Sequence, residues 1–140
     1  MKSQLTLIAA AIALALGTSV QAADTKQIDQ QHKADLEKCK DLKGNAKDVC
    51  KKEADGKQKV AKAEAELKEA DTPKNRQKVQ EAKATAQYDV AKEKCDDQKG
   101  DAKDACQKAA KAERDGAIAQ ARKASADSDA KTKQPRAKKE

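Results

Sequence analysis

The stretch CKDLKGNAKDVC, from Cys39 to Cys50, returns as CDDQKGDAKDAC from Cys95 to Cys106, 56 residues later and with eight of twelve positions identical. Each copy is a cysteine, a charged run, a Gly-Asn or Gly-Asp pair, Ala-Lys-Asp and a second cysteine. Glycine just past a helical run favours the left-handed C′ position, because it lacks the Cβ that makes that conformation costly. Asn45 and Asp101 follow it, and both residue types are strong N-caps. Asp48 and Asp104 fall at N3, where a carboxylate favours the positive end of the helix dipole. Gly44–Asn45 and Gly100–Asp101 therefore read as one helix stopping and the next starting. The cysteines stand nearly symmetrically about the turn. On antiparallel helices that spacing brings them to a bridging separation of about 5–6 Å between Cα atoms. Of three possible pairings, the symmetry selects Cys39–Cys50 and Cys95–Cys106.

Other chemistry for the cysteines fits less well. Structural zinc wants cysteines two to four residues apart or added histidines, and His32 is the single histidine. A thioredoxin-type pair needs Cys-x-x-Cys, which the sequence lacks. Buried free thiols in a charged linker would suit a reducing compartment, and the N-terminus points elsewhere. Lys2 supplies a positive n-region, Leu5 to Leu16 is a short apolar run, and Val20-Gln21-Ala22 satisfies the small-x-Ala cleavage rule. Twelve apolar residues are too few to span a bilayer, which needs about 20. Residues 1–22 are thus expected to be a signal peptide cut before Ala23. Its style points to the periplasm, where disulfides persist.

The mature chain would hold 118 residues, with 30 basic against 24 acidic side chains, a net charge of +6. It has only ten bulky apolar residues, Leu42, Val60, Leu67 and Tyr88 among them. That density excludes a thick globular core and leaves thin paired helices that need covalent staples.

Heptad stepping organises the helices. Ile28, His32, Asp35, Cys39 and Leu42 share one stripe, which predicts a first helix over 23–43. Val49, Glu53, Gly56, Val60, Ala63, Leu67 and Ala70 continue the pattern in a second, with Gly56 a weak point costing about 1 kcal/mol against alanine. Thr72 as N-cap and Pro73 at N1 start a third helix, reaching Lys99 and carrying Ala84, Tyr88, Ala91, Cys95 and Gln98. A fourth begins at Ala102 with Ala105, Cys106, Ala109, Ala112, Gly116 and Ala119. His32 falls opposite Tyr88 in the repeat and reads as a half-exposed surface residue. Four-residue pairs such as Glu64–Lys68 read as helix support.

The expected fold is all-α: two disulfide-clamped antiparallel helical hairpins, elongated and coiled-coil-like, over residues 23–71 and 72–124. From Ser125 the stripe is lost, so residues 125–140 are expected to form a disordered basic tail. The cations Arg122, Lys123, Lys131, Lys133, Arg136, Lys138 and Lys139 are candidate contacts for an anionic partner. The bland alternative is a solvated terminus. No aromatic residues interleave them, so bases would find no stacking platform.

Carboxylates are plentiful but alternate with lysine. No nucleophile motif or glycine-rich phosphate loop is present, and the apolar residues needed to wall a cleft are scarce. The sequence therefore reads as a non-enzyme without a cofactor.

Runs such as KVAKAEAELKEA (59–70) and YDVAKEKCDDQKGDAKDAC (88–106) resemble short exported proteobacterial Ala/Lys/Glu-rich proteins labelled TolA-like, which repeat such cysteine units. The likeness covers most of 30–121. The paired-cysteine Lys-Gly-Asp element is also similar to the PsiF repeat of phosphate-starvation-induced periplasmic proteins, with the cysteines differently spaced. These resemblances imply a helical envelope or periplasmic protein and assign no residue a biochemical role. Two functions follow as expectations. One is a structural or partner-binding role in the cell envelope, including under stress. The other is polycation-type binding of anionic envelope polymers or membrane surfaces through lysine-rich faces and the tail.

Overall fold

A computed structural model describes residues 20–133, with side chains from Asp24 onward. The expected leader lies almost wholly outside these residues, as do Arg136, Lys138 and Lys139. The chain is all-α: α1 (Val20–Lys38), α2 (Gly44–Glu69), α3 (Pro73–Cys95) and α4 (Gly100–Lys133), with no strand among the described residues. Disulfides Cys39–Cys50 and Cys95–Cys106 clamp α1 to α2 and α3 to α4, each with Cα atoms 5.7 Å apart. The two clamped antiparallel hairpins read from the repeat are both present.

The turns differ in detail from the expectation. α1 ends at Lys38 and α3 at Cys95, four or five residues sooner than the stripes suggested. Both chains then tighten through i→i−3 bonds, Leu42 N to Cys39 O in one copy and Gln98 N to Cys95 O in the other. The glycines do adopt the left-handed conformation, φ +57° at Gly44 and +55° at Gly100. They open the second helix of each pair and do not close the first. A Cβ there would meet nothing within 4 Å, so backbone conformation alone selects glycine. Asn45 is not an N-cap either. Lys43 holds that position without a side-chain bond, while the Asn45 amide donates to Glu93 O at 2.9 Å. It thereby ties the start of α2 to the last turn of α3, as a second donor to a carbonyl that already accepts from Asp96 N. Its repeat counterpart, Asp101, is exposed in the first turn of α4. Thr72 and Pro73 behave as read: the Thr72 hydroxyl accepts from Asn75 N at 3.1 Å, and Pro73 opens α3.

Among the described residues each helix packs only on its neighbours in sequence, α1 on α2, α2 on α3 and α3 on α4. The α2–α3 interface, which no disulfide crosses, is as extensive as the clamped α3–α4 one. Cys50, Ala54 and Gln58 face α1, whereas Gly56 and Lys59 face α3. At 3.6 residues per turn these sets lie on nearly opposite sides of α2. The four helices therefore form one open row.

The core is thin and made of small residues. Ala54, Val79, Ala84, Ala110, Ala121 and the half-cystines Cys39 and Cys95 are its buried apolar members. Leu42, placed on the first stripe, is instead the one exposed large hydrophobe among the described residues. Small side chains permit close approach. At Gly56 an added Cβ would lie 2.8 Å from the Ala86 Cβ, so this glycine is a packing feature where the stripe read it as a weak point.

The disordered tail is corrected for residues 125–133. α4 runs unbroken to Lys133, and Ser125 is buried. Ser128 donates to Ala124 O and Thr132 to Ser128 O, so the hydroxyls are satisfied within the helix that their residue types disfavour.

Candidate functional site

Ion pairs stitch the row. His32, half-buried between α1 and α2, shares a 2.7 Å hydrogen bond with Asp55, so it serves the interface more than the surface. Beside it Asp29 accepts from Gln58 and pairs with Lys62 at 2.9 Å. Lys62 and Gln58 hold the Asp29 carboxyl below its ordinary range. Glu64 pairs with Lys83 of α3 at 2.9 Å, not with Lys68 of its own helix. Between α3 and α4, the Arg114 guanidinium stacks 4.2 Å over the Tyr88 ring, the repeat position of His32. Asp96 is held below the usual carboxylate range by Lys103.

The candidate anionic-partner cations divide into groups. Arg122 donates to Glu81 at 2.9 Å across the α3–α4 interface, where Gln77 and Arg122 keep the Glu81 carboxyl low. Lys123 pairs with Asp127 at 2.8 Å along α4, which lowers the aspartate and raises the lysine. Both are committed to local partners. Lys131 and Lys133 are exposed in the last turn of α4, beyond those pairs. The second disulfide sits at the start of α4, whereas these cations occupy its second half, so the half-cystines and the candidate cations do not form one site.

Two grooves open on one broad face, divided by a ridge of Lys57, Ala61 and Glu64. The first, between α1 and α2, has a volume of about 630 Å³ and mixed polar walls that include Gln31, His32, Asp35 and Lys38. Lys38 and Gln31 hold the Asp35 carboxylate in place, Lys38 lowering its pKa most. The second, between α2 and α3, is larger, about 800 Å³, with an apolar floor of Gly56, Val60, Ala86, Val90 and Ala91. Its rim carries Glu53, Lys57 and Glu64 from α2, Lys83 and Lys94 from α3, and Glu113 from α4.

Glu53, Gly56 and Val60 share one stripe, as the heptad stepping has it, and that stripe faces α3. The other stripe of α2, Ala54, Ala61 and Ala65, was missed. Its signal was the recurrence of alanine every three or four residues, hidden in a chain where alanine is everywhere. Among the described residues no cluster of three or more His, Cys, Asp or Glu is placed to hold a metal ion. No described helix is long and apolar enough to cross a membrane. No family model matches the chain, and neither a curated protein nor a solved structure matches it.

Proposed function

We propose that this is a non-enzymatic, exported helical repeat protein that acts in the periplasm or cell envelope by presenting helix faces to partners. The observation that supports it is the open row of four helices. A single layer leaves both broad faces accessible, and its hollows are grooves along the helices, lined by side chains locked in ion pairs. Such a layer suits extended contact better than the enclosure a catalytic site requires. Export is the reading of the leader, and paired cysteines agree with an oxidising compartment. The test is capture of partners from periplasmic extract by the mature chain starting at Ala23, at low and at high salt. Partners retained at high salt are expected. An extract from which nothing is retained under either condition refutes the reading.

A second reading, binding of anionic polymers or membrane surfaces, draws on the end of α4. Lys131 and Lys133 continue into Arg136, Lys138 and Lys139, whereas Arg122 and Lys123 are tied to carboxylates. Co-sedimentation with vesicles of anionic phospholipid is then expected to weaken steeply with salt. It should disappear for a chain ending at Ala130. Equal binding by the shortened chain would sink this reading.

A further inference from the structure

We propose that the α2–α3 groove is a self-association surface, and that its occupant is the same groove of a second copy of this chain. Charge around the apolar floor is divided between the two walls. The α2 wall carries Glu53 and Glu64, and the α3 wall carries Lys83 and Lys94. Glu64 and Lys83 stand at one level, since they pair at 2.9 Å. Glu53 and Lys94 are displaced from them by eleven residues along each antiparallel helix, about three turns. They therefore share a level and a face of their own. Among the described residues the ion pairs across α2–α3 are Lys52–Glu93, Lys59–Asp89, Lys78–Glu66 and Lys83–Glu64, which leaves Glu53 and Lys94 outside that set.

A groove that is acidic at both ends of one wall and basic at both ends of the other is complementary to its own two-fold image. A two-fold axis along the groove keeps levels and exchanges walls. It sets Glu53 against Lys94 and Glu64 against Lys83 of the second copy, and repeats both contacts by symmetry. Glu113, reaching the groove from α4, stands near the level of Lys57 on the second copy's α2. The apolar floors meet between these pairs, excluding water from Val60 and Val90. An axis across the groove instead sets α2 on α2 and brings Glu53 to Glu64, a like-charge contact. Charge thus selects one of the two symmetric arrangements. The floor consists of small residues, so the contact is modest in area and the dimer is expected to be weak, with Kd on the order of 100 μM.

Sedimentation equilibrium of the mature chain, from micromolar to millimolar concentration, tests this. A monomer–dimer equilibrium is expected, weakened at least tenfold between 50 mM and 500 mM salt. Glu53→Lys and Lys94→Glu each replace an attraction by a repulsion, so each variant alone should stay monomeric. An equimolar mixture of the two should recover dimer, because pairing one variant with the other restores opposite charges at both symmetry-related contacts. Circular dichroism of each variant checks that both remain folded, as expected for exposed side chains. Wild-type protein that stays monomeric to millimolar concentration would overturn the proposal. So would single variants that dimerise like wild type, or a mixture that does not recover.

Discussion

Two glycines of nominally equal helix cost have opposite structural meaning. Gly56 is buried where α2 crosses Ala86, and a Cβ there would lie 2.8 Å from the Ala86 Cβ. Gly116, its near counterpart on the exposed side of α4, would place a Cβ in open space. Helix propensity alone favours alanine at either site by about 1 kcal/mol. Gly116→Ala is accordingly expected to raise the melting temperature by a few degrees. Gly56→Ala should lower it, because the helices must separate and overpacking costs about 1–3 kcal/mol. Thermal melts of both variants decide, and a stabilising Gly56→Ala would contradict the close approach of α2 and α3. The cysteines, the left-handed glycines and the Thr72–Pro73 start were legible in the sequence, because each has one dominant physical use. Asn45 was misread, since its amide serves α3 and not its own helix, and a single chain pattern does not reveal which residue lies across an interface.

Helix by helix, the bulky residues counted from sequence are not where the burial lies. Val79 is the only one of the ten that is buried, and alanines supply most of the rest. Alanine is both the best helix former and a usable core residue, so its pattern is legible only when the interface is known. The end of α4 was misjudged for a related reason: Ser125, Ser128, Asp127 and Thr132 are turn-forming types, yet here the Ser128 and Thr132 hydroxyls bond back to the helix and Lys123 pairs with Asp127. Ending the chain at Ala124 removes the buried Ser125 beside Pro73 and Gln77. The shortened protein is expected to lose helical signal and several degrees of melting temperature; a disordered segment would leave both unchanged.

The pairs joining helices also set a pH response. Asp29, Glu81 and Asp96 have pKa values below their ordinary range in the folded chain, chiefly through Lys62, through Gln77 with Arg122, and through Lys103. The unfolded chain then binds more protons in acid, so stability rises with pH through that region. Their contribution is present above about pH 5 and is lost as pH falls below about 4, through the folded values. Melting temperature should be flat from pH 7 to 5 and drop below pH 4, the drop shrinking in Glu81→Gln. A fall that begins above pH 6 would assign the response to other groups.

For the molecule as a whole, the thin row makes the disulfides decisive. Each closes a loop of about a dozen residues, for which chain entropy gives roughly 3 kcal/mol at 25 °C. Two of them match the total stability of a small domain. Reduction is expected to lower the melting temperature by on the order of 20 °C while much helical circular dichroism persists at low temperature. An unchanged melt on reduction would mean that alanine packing suffices.

Because every interface among the described residues joins consecutive helices, α1 and α2 do not need α4 in order to pair. Contacts are short in sequence, which places refolding of the oxidised protein in the microsecond-to-millisecond range. A polypeptide threaded out of a membrane pore with its N-terminus leading would complete α1, α2 and the first bridge before α4 had emerged. Each later helix would add to a finished edge, as a zip closes tooth by tooth. Oxidative refolding followed by timed thiol trapping is expected to yield two native bridges with few Cys39–Cys95 or Cys50–Cys106 isomers, in whatever order the cysteines are released.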